Sequence, residues 1–257
     1  MARIKKMLFR FFIYLNISIF SLACSYAYAT AIRFVAEDLP PYHYLNAKGQ
    51  ADGVLVEIAR ELQVHSGLEA KIDILPMARA YHELQTKPDV VMLAWLKTPS
   101  RAKNYQFLGV MCQTSASLMG LTSNQIPLSS LEQAKRYRVS TIRGYYSEQY
   151  LKKAGFSEEH DLVLASHYKS MWHMLYKGRT DFILTNTRTL QRELDELGLD
   201  PTLLESKLRL DDFPSELHLA ANLQFSKSQA EKLQASLNAI KASGRYDEIV
   251  RKWRLLD

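Results

Sequence analysis

Short β-rich runs alternate with amphipathic helical stripes from Ile32 onward, and no other feature of the chain narrows its possible folds as much. Residues 32–37 predict a strand that stops at Leu39-Pro40-Pro41, where two prolines remove backbone donors and hold the chain extended. Leu55, Ile58, Ala59 and Leu62 recur at i, i+3, i+4, i+7 and predict a helix, with Gly67 as its stop. Residues 70–74 alternate as a strand, Pro76 opens a helix striped by Met77, Ala80, Tyr81 and Leu84, and residues 89–96 read as an apolar strand. After an aperiodic break over residues 120–127 the same grammar resumes. Ser129-Ser130-Leu131-Glu132 predicts a capping box, residues 137–142 a strand, Gly144 a tight turn and residues 147–153 a helix. Tyr168, Met171, Trp172, Leu175 and Tyr176 stripe a helix closed by Gly178, residues 181–184 form a strand, and Leu190, Leu194 and Leu197 stripe a helix before Gly198. A second capping box, Ser228 to Glu231, opens a terminal helix pair carrying Leu233, Leu237, Ile240 and, past Gly244, Tyr246, Ile249, Val250 and Trp253. The predicted class is α/β, with parallel sheets covered by helices.

The first 29 residues stand outside this pattern. Arg3, Lys5, Lys6 and Arg10 surround the start of an apolar run over residues 11–23, and Ala27-Tyr28-Ala29 supplies a small-residue cleavage site before Thr30. These are the parts of a secretory signal peptide, with a mature chain starting at Thr30; the alternatives are an uncleaved anchor and lipidation at Cys24, whose preceding Ser21-Leu22-Ala23 departs from a lipobox. Charge then changes meaning. The whole chain has 33 Lys+Arg against 27 Asp+Glu, and removing the four leader cations leaves 29 against 27. A nearly neutral mature surface has no excess of cations to condense on phosphate backbones, so a nucleic-acid partner is not expected. Cleavage also leaves Cys112 as the sole cysteine, which excludes an internal disulfide; its apolar neighbours at 108–111 predict a buried, inert thiol.

The sequence carries none of the common signatures of catalysis. The seven histidines fall in no H-E-x-x-H arrangement, there is no Cys pair for zinc, no G-x-S-x-G elbow, no Walker loop, and Gly144 lacks the partner glycines of a dinucleotide fingerprint. No metal, cofactor or catalytic residue is expected.

Four segments in order along the mature chain resemble the extracytoplasmic solute-binding proteins of the polar amino-acid type, bacterial solute-binding protein family 3, which serve ABC importers. They are Glu37-Asp38-Leu39-Pro40-Pro41-Tyr42 with Gly53-Val54-Leu55-Val56-Glu57, Thr98-Pro99-Ser100-Arg101-Ala102, Gly178-Arg179-Thr180-Asp181, and residues 237–246 with Lys252-Trp253. The resemblance implies a two-lobed type II binding-protein fold, each lobe a mostly parallel sheet flanked by helices, joined by two hinge strands near residues 115–119 and 217–221. Lobe 1 would comprise residues 30–117 and 218–257, and lobe 2 residues 118–217. It further implies a monomer in the periplasm that captures a small polar, carboxylate-bearing, amino-acid-like solute and delivers it to a membrane permease.

For the site, the resemblance points to Thr98 and Arg101 of the T-P-x-R turn, with the planar guanidinium of Arg101 facing a ligand carboxylate. Tyr42, and with it Tyr44, would stack on the ligand, Trp95 would form an aromatic wall, and the backbone at Gly144 and Tyr145 would hold the carboxylate from lobe 2. Arg79 and Arg143 add positive charge nearby. Two departures matter. Asn186 stands where the family often has an acid for the ligand's ammonium, and Tyr145 and Tyr146 replace helix-start threonines; both leave a charge balance that favours an anionic or atypical ligand. Two other functions use the same scaffold: an enzyme resembling cyclohexadienyl dehydratase, with Glu37, Glu57 or Glu148 as acid or base, and a ligand-sensing input protein for a membrane receptor.

Overall fold

The computed structural model of the protein describes residues 31–255, so the leader, its cleavage point and Cys24 lie outside the described residues. The first stretch runs β1 (Ile32–Ala36), β2 (Tyr44–Leu45), β3 (Ala51–Asp52), α1 (Val54–Ser66), β4 (Ala70–Ile74), α2 (Met77–Thr86), β5 (Val90–Leu96), α3 (Pro99–Ala102) and β6 (Tyr105–Gln113). The middle contributes β7 (Ala116–Leu121), α4 (Leu131–Ala134), β8 (Val139–Ile142), α5 (Tyr146–Lys153), β9 (Leu162–Ala165), α6 (Tyr168–Tyr176), β10 (Phe182–Asn186), α7 (Leu190–Leu197) and β11 (Leu204–Arg209). The chain ends with β12 (Glu216–Asn222), α8 (Lys227–Ala242) and α9 (Arg245–Lys252).

The strands form two five-stranded sheets, in the orders β4-β1-β5-β12-β6 and β11-β7-β10-β8-β9. In the first, β1 runs parallel to β4 and β5, while β12 is antiparallel to both β5 and β6, so β12 alone opposes the other four. In the second, β10, β8 and β9 are parallel and β7 is antiparallel to both β10 and β11, so β7 is again the one reversed strand. The fold is therefore mostly parallel α/β, as the alternating pattern predicts. The chain leaves the first sheet after Gln113 and returns to it at Glu216; Thr114 N–H donates to the Ser215 carbonyl and Leu210 N–H to that of Ala116, so the two links run side by side. Residues 116–119 thus belong to β7 and residues 217–221 to β12, with the links themselves at 114–115 and 210–215.

Alternation along each strand sends side chains to two buried faces. Phe34 and Ala36 of β1 pack with α1, α8 and α9 through Leu55, Ile58, Leu62, Leu233, Leu237 and Ile249, while Val35 joins Ala80 and Leu84 of α2 and Trp95 on the opposite face. The second sheet divides likewise: Leu118, Leu184 and Leu151 on one side, Ile183, Trp172, Met171 and Leu194 on the other. Helix boundaries follow the sequence reading with two corrections. At α4 the N-cap is Ser130, and its hydroxyl makes no capping bond; Ser129 N–H instead donates to Gln133 Oε1 at 2.9 Å. At α8 the cap is Ser226, two residues upstream of the predicted box, and its hydroxyl accepts from Gln229 N–H at 3.4 Å.

Candidate functional site

The proline loop is built against the start of α1. Gly53, with φ of +123°, brings its backbone so close to the loop that a Cβ would lie 2.5 Å from the Tyr42 carbonyl oxygen, and Val54 and Leu55 N–H groups donate to the carbonyls of Pro41 and Tyr42. Just before this loop Glu37, the residue that follows β1, enters a cavity between the two sheets. The cavity is lined by Glu37, Trp95, Leu96, Arg101, Thr114 and Ser115 from the first sheet and its links, and by Thr141, Ile142, Tyr145, Tyr146, Ser147, Thr185, Asn186, Thr189 and Glu193 from the second. Most of these follow the carboxyl ends of parallel strands, where open α/β sheets hold ligands.

Arg101 is positioned from below. Thr98 caps α3, its hydroxyl accepting from Arg101 N–H at 3.2 Å, and the guanidinium lies 3.7 Å from the Trp95 ring centroid while donating to the Leu96 carbonyl at 3.2 Å. Trp95 is itself held by a stacked Tyr81 at 5.3 Å and an edge-on Tyr105 at 5.8 Å. Burial holds the Arg101 guanidinium below its ordinary value, and among the described residues no carboxylate comes within ion-pair distance of it. A desolvated cation with neutral neighbours is primed for an anion.

The structure redistributes the other expected ligand residues. Trp95, Arg101, Tyr145 and Asn186 line the cavity. Thr98 acts as the cap that orients Arg101 and does not reach the lining. Tyr42 is fully buried behind the cleft in a second cavity with Met111, Cys112 and Gln113, because its loop turns it inward; its hydroxyl accepts from Asn186 Nδ2 at 3.3 Å. Arg79 points away, bonded to Glu83 at 3.1 Å beside the Arg33–Asp73 pair. Arg143 is an exposed residue paired with Glu158 at 2.9 Å. Gly144 has φ of +85°, and its N–H is taken by Glu148 Oε2 at 2.6 Å, so the chain's own carboxylate occupies the donor expected to hold the ligand. Of the three acids weighed for catalysis, Glu148 is that cap, Glu57 binds Lys252 and Trp253 Nε1, and Glu37 alone reaches the cleft. Cys112 is half-buried as a residue, yet burial pushes its thiol up to about 12, far from a reactive thiolate.

Two carboxyls in the lining are strongly perturbed. Glu37 accepts a short hydrogen bond from the Tyr145 hydroxyl across the cleft; although the residue keeps some exposure, its carboxyl is desolvated and pushed up to about 7, against the lowering effect of that bond. Glu193, 2% exposed, accepts from Trp172 Nε1 at 2.5 Å and is likewise pushed up to about 7 by burial. Asn186 is engaged at both ends of its amide: its oxygen accepts from Arg188 N–H at 3.0 Å and its nitrogen donates to the Tyr42 hydroxyl at 3.3 Å. The acidic side of the cleft therefore lies at positions 37 and 193; Glu37 was already a candidate acid in the sequence, whereas the anionic-ligand balance inferred from Asn186 left out Glu193. A signal for Glu193 existed, since Leu190, Glu193, Leu194 and Leu197 form an unbroken i, i+3, i+4, i+7 stripe with an acid in a core position.

Two helix-flanked sheets joined by paired links around an internal cleft define a two-lobed periplasmic-binding-protein fold of type II. The chain belongs to the bacterial extracellular solute-binding proteins, family 3, whose profile it matches over residues 32–255. It is 25% identical over 166 residues to the ABC transporter glutamine-binding protein GlnH of Bacillus subtilis (strain 168); the match covers 64% of this chain and 57% of that protein's length. Among solved structures it is similar to a histidine kinase sensor domain with similarity to periplasmic binding proteins (TM-score 0.79, 19% identity, 87% of this chain and 96% of that one). It is also similar to an ancestral arginine-binding protein bound to arginine (TM-score 0.74, 20% identity, 86% and 97%).

Proposed function

We propose that the protein is a non-catalytic periplasmic receptor that closes on a small amino-acid-like solute and presents it to the permease of an ABC importer. Residues 1–29 serve as its export leader, residues 30–117 with 218–257 act as one lobe, and residues 118–217 as the other. Arg101 carries this reading: a guanidinium desolvated over Trp95, with no counter-ion among the described residues, holds the solute's carboxylate. The glutamine-binding and arginine-bound relatives support an amino-acid-like solute. Closure follows because a ligand touching both walls binds the closed form better than the open one, and a permease that recognises the closed form then receives only loaded protein.

Calorimetric titration with a panel of L-amino acids tests the reading. Losing one partner of a desolvated charge pair costs about 2–5 kcal/mol, so Arg101→Ala weakens binding by roughly 30-fold to several thousand-fold, and Arg101→Lys also loses affinity for want of paired donors. Unchanged affinity in both variants refutes it. A sensing role, suggested by the kinase sensor domain, uses the same cleft with a different membrane partner; crosslinking of the loaded protein to a permease or to a receptor kinase separates the two.

A further inference from the structure

Resting on the receptor reading above, we propose that Glu193, with Glu37 on the other side of the cleft, is the seat of the ligand's cationic group. Glu193 is a buried carboxyl whose partners, Trp172 Nε1 and the Thr189 hydroxyl, are neutral donors. Glu37 has the Tyr145 hydroxyl and no cation. A carboxylate offers about four acceptor sites, so both keep unfilled lone pairs. Both line the same cavity as Arg101, which separates a carboxylate-accepting end from a cation-accepting end within one cleft. Trp95, in the same lining and 2% exposed, has an indole N–H with no partner among the described residues, an independent mark of a contact left for a ligand. Asn186 cannot supply the acid, because a carboxamide carries no charge to offset a cation. Glu83, a buried carboxyl elsewhere in the chain, is neutralised by Arg33 and Arg79, whereas no ion pair among the described residues involves Glu37 or Glu193.

The seat makes binding proton-linked. The groups facing Glu37 are Tyr145, Asp38 and Glu193; those facing Glu193 are Glu37, Glu196, Tyr42, Tyr145 and Tyr168, with Thr189 and Trp172 as its donors. None is a cation, so near neutral pH part of the carboxyl population is protonated until an ammonium or guanidinium arrives, and its arrival expels that proton.

The test titrates the purified protein with the twenty proteinogenic L-amino acids, in two buffers of different ionisation enthalpy. Each binder is then compared with its analogue carrying hydrogen in place of the α-ammonium, and arginine also with citrulline. The expected result is proton release on binding, a loss of roughly 30-fold or more for the analogue lacking the cation, and a similar loss for Glu193→Gln toward the cationic ligand but not toward that analogue. Glu37→Gln behaves in the same sense. Far-ultraviolet circular dichroism and the Arg101-dependent affinity for the analogue verify that Glu193→Gln is folded; a misfolded variant is replaced by Glu193→Asp, which restores proton release with weaker binding. Equal affinity for ligand and analogue, unchanged affinity in Glu193→Gln, or no binding of any amino acid at roughly 1 mM overturns the seat. Loss of affinity in Arg101→Ala with none in Glu193→Gln overturns the seat alone, whereas unchanged affinity in Arg101→Ala overturns the receptor reading itself.

Discussion

Glu193 shows how a single residue departs from what its neighbours in sequence announce. It occupies a core position on α7, where an apolar residue would stabilise the fold, and it is desolvated without a cation. Its folded-state value of about 7 lies above the ordinary 4.5, so between those values the native state holds more protons than the unfolded chain, and stability falls as pH rises through that window. Glu37 adds the same dependence. Glu193→Gln keeps an acceptor for Trp172 and removes the charge. It should therefore be more stable than the wild type by about 1–3 kcal/mol near pH 8, with the difference gone at about pH 4, where both states are protonated. Urea unfolding at the two pH values measures this, and a wild type as stable as the variant near pH 8 contradicts it. Arg101 was legible in sequence because its chemistry travels with a local turn motif. Arg79 and Gly144 are engaged by Glu83 and Glu148, each four residues further along the chain, and Arg143 by Glu158, fifteen residues on, so none of the three is left free for a ligand.

At the scale of elements, periodicity and stop signals located most helices and strands to within a few residues. The helix striped by Leu55, Ile58 and Leu62 ends at Gly67, which adopts the left-handed conformation the stop requires, and residues 70–74 form β4 as expected. Caps were less legible, since several serines near a helix start satisfy the same pattern and packing chooses among them. At α8 it chose Ser226. Ser226→Ala should cost about 0.5–1 kcal/mol, while Ser228→Ala should change stability by less than about 0.5 kcal/mol. Chemical denaturation of the two variants decides the matter; a larger loss for Ser228→Ala would return the cap to the predicted box.

For the whole molecule, the arrangement of β12 has the widest consequence. It comes from the last part of the chain yet lies between β5 and β6, so the first sheet is incomplete until about a hundred intervening residues have been made. The second sheet takes all five of its strands from one continuous stretch, β7 to β11. A fragment of residues 114–214 should therefore unfold cooperatively by itself, and residues 31–113 should not, because β5 and β6 would expose facing ladder edges and Leu219, Ala220 and Ala221 would be missing from the core. Circular dichroism melts of the two fragments check this, and a cooperative transition in residues 31–113 would contradict it. The sequence by itself determined the α/β class and the family resemblance and singled out Arg101, which lines the cleft, because each depends on periodicity or on residues adjacent along the chain. Only tertiary structure decided which charges remain uncompensated: Glu37 and Glu193 are 156 positions apart in sequence, and their shared cavity exists because two separately hydrogen-bonded sheets meet there.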